Sequence, residues 1–272
     1  MKIKLAHSPD ADDAFMFYPL AEGRIDAGEL EFEHILADIQ TLNQKALAGE
    51  YEISAVSLHA YPYIAEKYAL LSCGGSVGCK YGPVVVSKKR IRTLREKSVA
   101  VPGLLTTAYL ALKLFEKDFT AKVIPFDEIM DEVVNESVDA GVVIHEGQLF
   151  YEDRALYKFI DLGEWWYEKT KHPLPLGGIA VRRNLGRELI EKIAHCVRES
   201  IEYSLEHREE ALGYALKFAR GLEKNKADKF IGMYVNKYTI DYGKDGRNAV
   251  KLLLSKGYEE GIITKKIKVD FI

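Results

Sequence analysis

Short apolar runs rich in β-branched residues alternate with stretches of helical spacing, and beyond about residue 181 only helical spacing remains. Residues 2–8, 30–35 and 52–57 read as strands, with a helix starting at Asp12-Asp13 and another over 39–47 that stops at Gly49. Residues 60–68 have helical spacing, and 70–73 and 83–87 are extended around a glycine-rich stretch at 74–82. A second series follows, with strands at 99–101, 121–125 and 140–144 and helices at 106–115 and 128–138. After one extended piece at 178–181, helices are expected over 188–206, 209–218, 224–236 and 244–254. Strands that alternate with helices call for parallel sheets, because a parallel neighbour is reached only by a crossover long enough to hold a helix.

The interruption between the two series predicts two α/β lobes rather than one large sheet. A chain of 272 residues suits that number at roughly 150 residues per domain. The expected division is discontinuous: residues 1–88 and 182–272 form the first lobe with its C-terminal helices, and 89–181 form the second. Crossovers are expected at 88–92 and 177–183. Two lobes joined twice enclose a cleft, and ligands of α/β sheets sit at the C-terminal ends of the strands.

Charge and hydropathy narrow the partner. Lys and Arg total 38 against 41 Asp and Glu, a net charge of −3, so there is no basic stripe to displace counterions from a nucleic acid. No apolar run approaches the ~20 residues of a membrane-inserted helix. The N-terminus, Met1 to His7, lacks the apolar core of a signal peptide and reads as a first strand, which makes the cytoplasm the expected location. The three cysteines, Cys73, Cys79 and Cys196, are expected to be free thiols there.

Candidate functional residues follow the strands. After the first come Ser8 and Asp10, placed to hydrogen-bond ligand hydroxyls, and Asp12-Asp13, which suit helix capping and, with Asp10, would also suit a magnesium ion. Ser57 ends the third strand and either orients a ligand oxygen or caps the next helix. Pro102-Gly103 leads into Thr106, Thr107 and Ala108, where a helix start offers free amides and two hydroxyls to an anion; Thr106 as a simple cap is the alternative. His145 ends a buried strand, where an imidazole can exchange a proton near neutrality, and His7 is placed similarly. Gly74–Lys80 lacks the spacing of a phosphate loop, the cysteines lack zinc spacing, and no nucleophile elbow is present. Trp165-Trp166-Tyr167 is read as packing between the lobes.

Taken together, several of these stretches resemble a known family. They are Ser8-Pro9-x-x-x-Asp13 with Phe15-Met16-Phe17-Tyr18, and Asp38-Ile39-x-Thr41-Leu42-Asn43. Val99-Ala100-Val101-Pro102-Gly103-x-x-Thr106-Thr107-Ala108-Tyr109 and Ile144-His145-Glu146 follow, then Asp161-Leu162-Gly163-x-Trp165-Trp166 and Leu174-Pro175-Leu176-Gly177. The chain is similar, over nearly its whole length, to the 1,4-dihydroxy-6-naphthoate synthases of the futalosine route to menaquinone. The resemblance implies a fold like the type II periplasmic binding proteins and a carbon–carbon lyase needing neither metal nor organic cofactor. Such an enzyme converts cyclic dehypoxanthinyl futalosine to 1,4-dihydroxy-6-naphthoate and dihydroxyacetone. It also implies that His145 is the proton-abstracting base, that Ser57 contacts substrate, and that Thr106, Thr107 and Ala108 hold its carboxylate.

Two departures stand out. Many members have Ser-Pro-Cys-Pro-Asn-Asp where this chain has Ser8-Pro9-Asp10-Ala11-Asp12-Asp13, and several have a lysine where Ala55 stands. His59 or Lys80 are candidates to supply the charge instead. The competing functions are a non-catalytic protein that binds a small carboxylate, and a chorismate dehydratase of the same pathway. The Thr106-Thr107 turn and Ile144-His145-Glu146 favour the synthase over the dehydratase. Either way the partner is a small carboxylate-bearing molecule, and apolar surface on the terminal helices leaves a homodimer open.

Overall fold

In the computed structural model, which describes residues 1–272, the first series of elements is β1 (Lys2–His7), α1 (Ala11–Ala21), β2 (Glu31–Leu36), α2 (Ile39–Ala48), β3 (Ile53–Ser57), α3 (Tyr61–Ile64), β4 (Tyr68–Leu70) and β5 (Ser76–Gly78). The second is β6 (Val84–Ser87), β7 (Ser98–Val101), α4 (Thr107–Phe115), β8 (Thr120–Val123), α5 (Ile129–Val134), β9 (Ala140–Val143), β10 (Tyr157–Asp161) and α6 (Leu162–Thr170). Then come β11 (Leu174–Arg182), α7 (Arg187–Glu206), α8 (Arg208–Ala215), α9 (Lys224–Tyr234), α10 (Lys237–Ile240) and α11 (Gly243–Glu259).

Two sheets result. The first has six strands in the order β2-β1-β3-β11-β4, with β5 also on β11; the second has five, β10-β6-β9-β7-β8. β1 runs parallel to β2 and β3, and β7 runs parallel to β8 and β9. The antiparallel members are β11, against β3, β4 and β5, and β6, against β9 and β10. The central strands β3 and β9 are buried along their whole length, as a strand covered on both faces requires.

Local chemistry explains several boundaries. Asp38 caps α2 by accepting from the amides of Gln40 and Thr41, both at 3.0 Å, and Gly49 ends it in the left-handed conformation at φ +76°. The spacing of Ile190, Ile193, Val197 and Ile201 puts one face of α7 into a core that also holds Ile3, Leu5, Phe15 and Phe17. A second core runs from Val56 and Ala180 of the first sheet to Val99 and Val142 of the second, through Leu110, Trp166 and Leu253. The Trp166 indole is buried and donates to the Pro173 carbonyl at 3.1 Å, the structural packing expected of it. The cysteines are all free. No helix is long and apolar enough to cross a membrane.

Two expectations need correction. The helix foreseen over 60–68 is only the single turn of α3, because Tyr68–Leu70 is drawn out as β4 to pair with β11. The crossovers also move: β6 belongs to the second sheet and β11 to the first, so the chain passes between sheets at 79–83 and 162–173. The lobe boundaries expected near 88 and 182 are displaced accordingly, since each transition strand is claimed by antiparallel partners that lie far away in sequence.

The two passes touch. The Leu162 amide donates to the Pro83 carbonyl at 2.9 Å, and a Cβ on Gly163 would stand 2.0 Å from the Tyr81 carbonyl oxygen. Backbone, unlike a flexible side-chain tip, cannot yield there. Gly163→Ala should therefore cost about 2 kcal/mol, seen as a thermal midpoint lower by roughly 5 °C.

Candidate active site

The C-terminal ends of β1 and β3 face those of β7 and β9 across a cavity. Ser8, Ser57, Thr106, Thr107, Ala108 and His145 all line it, so six of the seven site residues expected from sequence are brought together. Ala55, where several members of the resembled family have a lysine, lies on its wall.

His145 opens the short 3-10 turn after β9 with a left-handed backbone, φ +54°, a conformation sparsely used outside glycine. That twist carries the ring back toward the opposite lobe. Its Nδ1 lies 3.1 Å from Oδ2 of Asp10, while Nε2 is buried and has no partner in the protein. Oδ1 of Asp10 accepts from Arg220 at 2.8 Å. With Nδ1–H held by Asp10, the lone pair belongs to Nε2, the nitrogen left free.

Asp10 was expected to touch ligand hydroxyls; it does not line the cavity but stands behind His145. The expected caps are corrected as well. α1 begins at Ala11, its N-cap residue is Asp10 without a side-chain cap bond, and Asp12 and Asp13 fall in the first turn. Asp13 instead reaches back to the strand end, accepting from the amide (2.8 Å) and hydroxyl (3.0 Å) of Ser8. Burial pushes its carboxyl up to about 6, against the pull of those donors. Asp12 lines the cavity with Oδ1 buried and unpartnered, and burial, then the charges of Asp13, Asp10 and Glu146, raise its carboxyl well above the usual range. A protonated Asp12 is a hydrogen-bond donor inside the cavity.

The opposite wall carries hydroxyl groups and a helix start. Asn43, from α2, donates to the Ser57 hydroxyl at 3.0 Å and accepts from the Ser57 amide at 2.8 Å, which fixes that hydroxyl in place. The Thr106 hydroxyl caps α4, accepting from the Tyr109 amide at 3.3 Å, so the capping alternative holds for its side chain. Thr107 and Ala108 then occupy the first turn, whose amides precede the intrahelical ladder. The Thr107 hydroxyl donates to the Leu176 carbonyl of β11.

Other candidates fall away. His7 lies outside the cavity, its Nε2 3.0 Å from His34 Nδ1, and burial lowers it to about 4. His59 packs behind α4 with Nδ1 3.2 Å from the Thr106 carbonyl oxygen and is likewise lowered to about 4 by burial. Lys80 sits 5.0 Å over the Tyr167 ring, away from the cavity. Neither supplies the charge expected in place of a lysine at Ala55. Asn43, Gln148 and Tyr234 were not foreseen as site residues. The last two line the cavity 2.8 Å apart, and only Asn43 carried a signal, as the final residue of a motif quoted for the resemblance.

Two sheets that meet strand end to strand end around a cleft define the class: the periplasmic-binding-protein fold. A Candida albicans protein described as having the generic form of that fold superposes with a TM-score of 0.67 at 14% identity, over 99% of this chain and 98% of its own. The chain belongs to the menaquinone biosynthesis family, whose model matches residues 3–259. A 1,4-dihydroxy-6-naphthoate synthase of Thermus thermophilus is 37% identical over 99% of both chains. The crystal structure of an Archaeoglobus fulgidus protein matches with a TM-score of 0.93 and 48% identity, covering 96% of this chain and 98% of that one.

The raised carboxyl of Asp12 sets a pH signature. An acid raised in the folded state disfavours folding once pH exceeds its unfolded value, and the penalty grows as pH rises through the folded one. Asp12→Asn should thus raise the thermal midpoint most at pH 8, and the gain should fade toward pH 4.

Proposed function

We propose that the protein is a 1,4-dihydroxy-6-naphthoate synthase, a carbon–carbon lyase that converts cyclic dehypoxanthinyl futalosine to 1,4-dihydroxy-6-naphthoate and dihydroxyacetone in menaquinone biosynthesis. The observation that carries it is the unpartnered Nε2 of His145, buried beside the cavity and backed by Asp10. In this reading Nε2 takes a proton from carbon next to the substrate carbonyl, which starts ring opening and aromatisation. Asp10 holds the ring in the useful tautomer and offsets the charge of the imidazolium that forms. In the same reading the substrate carboxylate binds at the start of α4, beside Ser57, Thr107 and Ala108, which all line the cavity. Asp12, protonated, is placed to donate to a developing oxyanion or leaving oxygen. Closure of the lobes over the cleft would keep water from the intermediates. The expected location is the cytoplasm.

A binding protein that kept the cleft without chemistry is the second reading, favoured by the fold alone. Incubation of the purified protein with cyclic dehypoxanthinyl futalosine, with chorismate in parallel, separates them: naphthoate should appear by mass and absorbance, and chorismate should be unchanged. His145→Ala should lower turnover by roughly 10²–10⁴-fold with substrate binding retained; full activity in that variant would sink the base assignment. Ser57→Ala should raise KM about tenfold with kcat little changed, as expected for loss of one hydrogen bond to a charged group.

A further inference from the structure

Behind His145 lies an arrangement that the proton-transfer scheme does not use. Arg220 sits in the turn between α8 and α9 with φ +50°, followed by Gly221 at φ +79°. Its guanidinium donates to Asp10 Oδ1 at 2.8 Å and lies 4.0 Å from Glu146 Oε2. The same group stacks 4.4 Å from the centre of the Phe126 ring, and Phe126 in turn meets the His145 ring edge-on at 4.8 Å. Arg220 and Asp10 follow elements packed on the first sheet, whereas Phe126, His145 and Glu146 belong to the second. The amide of Ala11 donates to Glu146 Oε1 at 3.3 Å and bridges the same gap. A second, solvent-open cavity lies on this side of His145, with Phe126 and Arg220 in its wall.

The charge balance makes Arg220 more than a surface residue. Asp10, Asp12 and Asp13 at the start of α1 and Glu146 after β9 crowd around His145, and Asp10 is only 1% exposed. The other cations of the second cavity are engaged elsewhere, Arg154 with Asp131 and Lys226 with Asp153. Arg220 is the cation that reaches this cluster. A buried carboxylate without a partner would turn or take a proton instead of holding an imidazole.

We infer that Arg220 is a positioning residue for the reaction: clamped on Phe126 across the gap between lobes, its guanidinium holds the Asp10 carboxylate on Nδ1 of His145. The base and its orienting acid come from opposite lobes, so the pair exists only while the lobes are closed, and the Arg220 turn ties them in that state. This rests on His145 being the base. Arg220 is outside the cavity that receives the substrate carboxylate, so its effect belongs on kcat rather than KM.

The test is steady-state naphthoate formation by Arg220→Ala, Arg220→Lys, Phe126→Leu, His145→Ala and the Arg220→Ala/His145→Ala double variant. Arg220→Ala should lower kcat at least tenfold with KM changed less than threefold. Its acid limb in the pH profile should move up by about one unit, because removing a cation favours protonation of the Asp10–His145 pair. Free guanidinium should restore part of kcat, Arg220→Lys should fall between wild type and Arg220→Ala, and the double variant should be no slower than His145→Ala. Phe126→Leu keeps the ion pair and should lose a smaller part of kcat. An unshifted acid limb without guanidinium rescue, a change in KM alone, or kcat within threefold of wild type overturns the proposal. If Arg220→Ala does not fold, Phe126→Leu decides: unchanged kcat in that variant overturns the clamp. A fully active His145→Ala, in contrast, defeats the base assignment itself.

Discussion

β11 enters the first sheet only after the chain has built the second. It lies antiparallel between β3 and β4, and its backbone holds both walls of the cavity at once. The Leu176 carbonyl accepts from the Leu58 amide at 3.1 Å and from the Thr107 hydroxyl, while the Gly177 carbonyl accepts from the Tyr242 hydroxyl at 2.9 Å. A strand buried in the sheet must pair its amides and carbonyls, so the chain cannot leave the second lobe unless it returns to this slot. The register of β11 on β3, Gly177 opposite Ser57, is thereby coupled to the position of α4, and Ser57 and the start of α4 are set together.

Against this rigid side stands a side held by charge. The core that joins the sheets through Leu110, Trp166 and Leu253 is apolar and continuous. Across the cavity the lobes meet through polar contacts, Asp10 with His145, Ala11 with Glu146 and Tyr234 with Gln148, together with the stack of Arg220 on Phe126. Such a division suits a cleft that admits a ligand on one side and keeps its hinge on the other. The buried carboxyls of Asp12 and Asp13 sit where they destabilise the folded chain at neutral pH, as functional sites commonly do.

Much of this was legible in the chain because strand ends are local. A β-branched run followed by a polar residue puts that residue at the end of a strand, which is how Ser8, Ser57 and His145 could be found. Asp10 was found, but its pairing with His145 was not, because sequence position says nothing of which way a side chain turns. Arg220 carried no signal, since its meaning comes from Asp10 and Phe126, each far from it in the chain. The same limit displaced the crossovers: the strands at 84–87 and 174–182 are plain apolar segments, and only their distant partners say which sheet owns them.

By itself the sequence determined what depends on neighbours along the chain: the α/β alternation, the cap at Thr106, the stop at Gly49, and the strand-end identity of His145. Tertiary structure decided what depends on partners across space: the sheet each transition strand joins, the burial that lowers His7 and His59 and raises Asp12, and the placing of Asp10 behind His145 rather than on the cavity wall. Local hydrogen bonds and side-chain periodicity are written within a few residues. Desolvation and ion pairing are set by whatever the fold brings alongside.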